Sequence, residues 1–218
     1  MNFIGAFSWD NIQYLLKGLA VTVEVSLISI ILSFIIGGLI GILRFARIRY
    51  FSHLLGILVD IIRNLPLLLI IFFFYFALPQ IGIRFSIIGS SIVSMTFFES
   101  CMLSEIFRAG LEAVPKGQME AGLSTGLSYV QTMYYIIFPQ AYKSMLPAIL
   151  SQLISLIKDT SLAVIISLPD ITHNAKLIYG QHLDYIFPMF VMMTILYFIV
   201  CYMLSLLSRF LEKRKYKY

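Results

Sequence analysis

Residues 120–139 read EAGLSTGLSYVQTMYYIIFP, and their reading decides the fold. Long apolar blocks flank the stretch on both sides, yet it is not itself a membrane span. Taken as a helix, it puts Met119, Gly122, Leu123, Gly126 and Leu127 on one face. Gln118, Ser124, Ser128 and Gln131 fall elsewhere on it, and Pro139 closes it. A stripe of small residues lets a helix come close to another surface, because glycine has no Cβ to hold the backbones apart. The stripe alone leaves open a re-entrant turn, an ordinary interfacial helix or a docking element.

Working outward, the composition sets the solvent. Of 218 residues 60% are hydrophobic and only 12% charged, where soluble domains carry about 25% charged residues. The chain is expected to be an integral membrane protein. Its net charge of +5 comes without a basic run interleaved with exposed aromatics, so it reads as membrane topology and excludes nucleic acid as a partner. Cys101 and Cys201 both lie in apolar blocks and read as packing residues, not as a disulfide or a metal site. No charged n-region or small-residue cleavage signal opens the chain, so the first span is expected to direct insertion.

Five spans follow from the apolar blocks. Residues 1–17, with Trp9, Asp10, Tyr14 and Lys17, read as an extracellular or interfacial segment. The body of the domain runs over 18–210, and 211–218 form a basic tail. The spans are expected near 18–43, 55–78, 87–107, 145–168 and 186–208. Gly37, Gly38 and Gly41 give the first a small packing face. In the second, Asp60 and Arg63 stand one turn apart and can pair, and Pro66 makes a kink or an entry break. In the third, Glu105 and Arg108 are three apart and can pair at its inner boundary. Residues 169–185, with Asp170, His173 and His182, read as a solvated outer connector with one short helix.

Arg44, Arg47, Arg49, Arg108, Lys116, Lys143, Arg209, Lys213, Arg214, Lys215 and Lys217 fall on one side of such a bundle. Lys17, Arg84 and Lys176 fall on the other. Excess Lys and Arg mark the cytoplasmic side, so the N-terminus is expected outside and the C-terminus in the cytoplasm. Residues 109–143 then form a cytoplasmic loop.

Against that topology the motif gains meaning. Glu120-Ala121-Gly122, three residues, Gly126, nine residues, then Ile136-x-Phe138-Pro139 resembles the EAA coupling loop of ABC importer permeases. There the pattern is Glu-Ala-Ala, three residues, Gly, nine residues, Ile-x-Leu-Pro. Gly122 replaces the third Ala and Phe138 the Leu. SEIFRAG at 104–110 is similar to the family's Ala-Glu-Ile-Phe-Arg-Gly-Gly, and KDTSL at 158–162 to the Lys-Asp-Thr-Ser-Leu of polar amino acid permeases. IIRNLPLLL resembles the family's Arg-Gly-Thr-Pro-Leu-Leu segment, with Asn64 and Leu65 departing from it.

The resemblance implies an all-α, MetI-like permease of the type I importer class, placed in the cell membrane, that moves a polar amino acid. It implies two ATPase subunits docked on the coupling loop, a second permease subunit, identical or related, and an extracellular substrate-binding protein. ATP and Mg belong to the ATPase. This chain has no G-x-x-x-x-G-K-[ST] run to cradle a nucleotide, and neither a G-x-S-x-G elbow nor an H-E-x-x-H helix. It is expected to be a transport subunit without catalytic residues, cofactor or metal of its own. A channel or a non-transporting membrane scaffold is the alternative. No pore-lining ring is visible for the first, and the charges at span depth speak against the second.

Those charges are the candidate substrate site. An amino acid presents an ammonium and a carboxylate, so its site needs acceptors and a donor placed apart. Glu99 and Met102 on the third span and Lys158, Asp159 and Ser161 on the fourth supply them. Two acids against one lysine lean towards a basic or strongly polar amino acid. The competing reading makes Lys158 a structural partner of Glu99 or Asp159.

Overall fold

A computed structural model describes residues 1–215, with side chains through residue 210. The tail at 211–218 therefore lies outside the described side chains. Asn2 caps a single turn, α1 (Phe3–Ala6), by accepting from the Gly5 N–H at 2.9 Å. The next helix, α2 (Trp9–Phe45), runs 37 residues without a proline. At 1.5 Å per residue it is about 55 Å long, more than a bilayer core of about 30 Å requires.

The second apolar block does not form one rod. It divides into α3 (Phe51–Arg63) and α4 (Leu67–Phe72), the latter extended by a π turn (Phe73–Ala77) and a 3₁₀ turn (Leu78–Ile81). The two pieces are bent by 100°. Pro66 is the cause: it has no N–H to give α3 and drives Leu65 out of the helical region. The expected single span at 55–78 is thus a broken one.

Ser86 caps α5 (Ile87–Glu112) by accepting from the Gly89 N–H at 3.0 Å. A short α6 (Lys116–Ser124) and α7 (Tyr129–Thr132) follow. A second π turn (Met133–Ile137), α8 (Phe138–Asp159) and a 3₁₀ turn (Thr160–Ile166) continue in one rod. After α9 (Ile171–Gln181), α10 (Ile186–Lys215) ends the described chain. Among the described residues four helical stretches are long and apolar enough to cross a membrane, and the bent pair makes a fifth if counted as one span. All belong to an all-helical bundle.

Helices α2 and α5 lie side by side and run the same way. Ser29 meets Ile92, Gly37 meets Ser100, and Gly41 meets Ser104 and Phe107. The bent pair between them must therefore return across the bundle. Helix α8 runs opposite to α5, with Gly110 beside Met145 and Glu99 beside Gln152. One stripe of α2 is small throughout: Gly18, Thr22, Ser26, Ser29, Ser33, Gly37 and Gly41 are all buried. Its first part, Gly18 and Thr22, lies against the start of α9, and Ser29, Gly37 and Gly41 bring α2 close to α5. A Cβ on Gly37 would sit 2.7 Å from the Ser100 carbonyl oxygen. The sequence reading singled out the glycines; the hydroxyl half of the stripe escaped it.

Leu27, Ile31, Ile35 and Leu39 project from α2, and Phe187, Phe190, Phe198 and Tyr202 from α10. Apolar surface on that scale suits a hydrocarbon surround and would be a liability in water.

The segment expected as a solvated connector is packed instead. Ile171, Ala175 and Ile178 of α9 join Leu15 of α2 and Met189 of α10 in one core cluster. Asp170 caps α9 by accepting from the His173 N–H at 2.8 Å and also accepts from the Tyr197 hydroxyl at 3.1 Å. Asn174 donates to the Tyr14 carbonyl at 2.8 Å. Alternation of polar and apolar residues hid this, because the polar ones satisfy each other inside the protein.

Candidate functional sites: the hairpin and the polar seam

The EAA-like stretch folds as a helical hairpin at one end of the bundle. Pro115 opens α6 in extended conformation. The helix stops at Ser124, well short of the continuous helix read from the sequence. Ser124 and Thr125 turn their hydroxyls back onto the Glu120 and Gly122 carbonyls, each at 2.7 Å, which competes with helix propagation. Gly126 then takes φ +86°, the left-handed terminator position that glycine fills best. Gly126 and Leu127 therefore do not share a face with Gly122. Ser128 and Gln131 restart the chain with a capping box, and the Ser128 N–H donates to Gln131 Oε1 at 2.9 Å.

Gly122 has a different task. It is buried, and a Cβ there would overlap Thr132 Cγ2 and lie 3.0 Å from Ile136 Cδ1. Helix α6 is thereby laid against the start of the α8 rod. Gln140 ties it further by donating to Gln118 Oε1 at 3.2 Å. Residues 129–143, expected as loop, belong to that rod. The π turn within it ends two residues before Pro139, as the other π turn ends two residues before Pro79. A proline in a continuing helix gives no N–H to the carbonyl four residues back and clashes with it; the wider π turn accommodates both. Glu120, Ala121 and Pro139 stay exposed, with Leu123, Tyr129, Tyr134, Tyr135 and Val130, the last 73% exposed. An exposed surface of this aromatic character suits a protein partner.

Beside the hairpin the charged residues form a network. Glu105 lies 2.5 Å from Arg108, 2.9 Å from Arg44 and 3.6 Å from Arg63. Arg63 also reaches Asp60 at 3.8 Å, Arg108 reaches Glu112 at 2.6 Å, and Arg47 reaches Glu112 at 3.5 Å. The two pairs read from helical spacing are thus pieces of a cluster joining α2, α3 and α5. Arg44, with only 8% of its side chain exposed, is its most buried cation. Sequence reading used Arg44 for topology alone, since its partner lies 61 positions away.

The polar seam lies between α5 and α8. Glu99 is 0% exposed; its Oε2 accepts from Gln152 Nε2 at 3.1 Å, and its Oε1 has no partner. Asp159 acts on it electrostatically. Met102 is half-buried, Lys158 is exposed, and Ser161 donates to the Lys158 carbonyl at 2.7 Å. Among the described residues no ion pair involves Glu99, Lys158 or Asp159. Lys158 thus makes no ion-pair contact with Glu99 or Asp159 here, although it acts electrostatically on its neighbour Asp159. Gln152, on the fourth apolar block, is the partner that the sequence reading missed. A neutral amide opposite a carboxylate carries no charge pattern to find.

Residues 29–217 match the family described as binding-protein-dependent transport system inner membrane component. Over 217 residues the chain is 54% identical to the probable glutamine ABC transporter permease protein GlnP of Bacillus subtilis strain 168, covering 99% of this chain and all of that one. It is 30% identical to the L-cystine transport system permease protein TcyB of the same organism, covering 98% and 93%. A crystal structure of an amino acid ABC transporter with histidines superposes with TM-score 0.90 at 26% identity, over 98% of this chain and 99% of that one. The inward-facing MetNI methionine ABC transporter shares the fold, with TM-score 0.83 at 18% identity over 95% and 99%. The chain belongs to the binding-protein-dependent transport system inner membrane components, and within them to the amino acid ABC transporter permeases.

Proposed function

We propose that this permease carries a polar amino acid inward, with glutamine the first candidate, and that Glu99 holds the substrate's ammonium. The observation that carries the site is Glu99 itself: a carboxylate wholly buried among membrane helices, held on one oxygen only. Ionisable groups at that depth are costly and mark substrate paths by default. Asp159 adds acceptor capacity, and Ser161 with nearby backbone orients the ligand; Lys158 is the candidate donor to the substrate carboxylate. The 54% identity to a probable glutamine permease supports glutamine, while the excess of acid keeps a basic amino acid in the comparison.

The hairpin is the docking element for the ATPase. Glu120, Ala121 and Gly126 shape its exposed turn, and Gly122, Ile136 and Pro139 seat it on the α8 rod. Two ATPase subunits would supply ATP and Mg, a second permease subunit would complete the pathway, and an extracellular binding protein would deliver substrate. The arginine and lysine distribution supports an N-terminus outside and the hairpin in the cytoplasm.

The test is uptake of labelled glutamine, arginine, histidine, glutamate and cystine with the cognate binding protein present. Glutamine or a basic amino acid should dominate, and Glu99→Gln should change preference or affinity while assembly and basal ATP hydrolysis persist. Loss of assembly, with unchanged preference in the residual uptake, would reduce Glu99 to a packing residue.

A further inference from the structure

Thr96 stands one turn before Glu99 on α5 and is 7% exposed. Its hydroxyl has no partner among the described residues. Its neighbours on the helix behave otherwise. Ser91, Ser94, Ser100 and Ser104 donate back to the carbonyls of Ile87, Ser91, Thr96 and Cys101 at 2.6 to 3.1 Å. Thr96 could do the same towards Ile92, but that carbonyl accepts from Ser29 of α2 at 3.5 Å. A buried hydroxyl left unpaired is destabilising and calls for a cause. Glu99 Oε1 is unpaired as well. Residues three apart lie on adjoining positions of a helix, so the two orphaned oxygens belong to one turn of α5, with Gln152 against the Glu99 side of it. Ser90, also orphaned, lies further along the helix.

An ammonium has three N–H donors and needs several acceptors around it. We propose that Thr96 contacts the substrate: its hydroxyl and Glu99 Oε1 form the acceptor pair for the ammonium, while Gln152 positions the carboxylate from α8. The proposal rests on the reading of Glu99 given above. Both oxygens are closed off here, so substrate reaches them when α8 parts from α5 at the Gln152–Glu99 contact.

Thr96→Val separates this role from a structural one. Valine is nearly the same shape, and the hydroxyl it removes makes no bond among the described residues, so the variant should assemble with at least wild-type thermal stability. Equilibrium binding to the purified complex is measured with whichever of labelled glutamine, arginine and histidine the wild type binds. Thr96→Val should weaken binding about ten- to hundredfold, the value of one hydrogen bond to a charged group, and Thr96→Ser should stay within about twofold because it keeps the hydroxyl. Unchanged binding by Thr96→Val, with Glu99→Gln altered, overturns the role of Thr96 and leaves Glu99 in place. Unchanged binding in both overturns the two readings together. A fall in thermal stability in Thr96→Val would show a structural hydroxyl and overturn the proposal.

Discussion

Gly122→Ala, made with and without Thr132→Ala, probes how the hairpin is seated. The added Cβ overlaps Thr132 Cγ2 and comes within 2.9 Å of Oγ1 and 3.0 Å of Ile136 Cδ1. Overpacking of this kind costs about 1–3 kcal/mol. Against it, alanine gains about 1 kcal/mol over glycine in a helix. The single variant should therefore destabilise α6 by up to about 2 kcal/mol, the difference of those terms. Thr132→Ala removes the two Thr132 atoms, and it breaks no bond, because Thr132 Oγ1 is unpaired. The contact that remains is Ile136 Cδ1 at 3.0 Å, the movable tip of a side chain, so in that background Gly122→Ala should stabilise by up to about 1 kcal/mol. The change of sign is the signature, and the coupling between the two sites should be about 1–3 kcal/mol. Hydrogen exchange of the Met119–Leu123 amides in the purified permease reads the opening free energy, and coupled ATP hydrolysis should follow it. Additivity within about 0.5 kcal/mol would refute the seating of α6 on Thr132.

Two further outcomes follow from the charged groups. Glu105→Ala strips the counter-charge from Arg44, buried at the meeting of α2, α3 and α5, and should cost about 3 kcal/mol, the low end for a broken buried pair because Glu105 is partly exposed; an unchanged melting midpoint in detergent would contradict the network. Burial pushes the Asp170 carboxyl above its ordinary value of 3.8, opposed by the bonds from His173 and Tyr197. A raised acid favours the folded state when protonated, so this contribution is complete below the unfolded value and is lost as pH rises through the folded one. Exchange protection at the start of α9 should fall over that window in the wild type and stay flat in Asp170→Asn, which keeps an acceptor at the cap; identical pH profiles would exclude Asp170 as the titrating group.

Much of this architecture is legible from the chain, and the limits are physical. The apolar blocks give the number of crossings because lipid demands them, and Pro66 marks the break in the second. The bend of 100° is tertiary and has no local signature. The two glycines of the hairpin look alike in a helical pattern, yet Gly122 serves a close approach and Gly126 a left-handed turn. Periodicity cannot separate those uses. Glu105 and Arg108 are found by their spacing of three, whereas Arg44 and Gln152 meet their acids only across helices. The packed α9 was hidden because Asp170, Asn174 and Tyr197 look like solvated residues until their partners are known.

Proteoliposomes that hold this permease with its ATPase subunits, loaded with ATP and given binding protein and labelled glutamine outside, test the transport claim directly. The account predicts accumulation of glutamine against its gradient, dependent on internal ATP and on the binding protein. Downhill flux that is indifferent to ATP would mean a channel and contradict it, as would a complex that hydrolyses ATP without moving any amino acid of the panel.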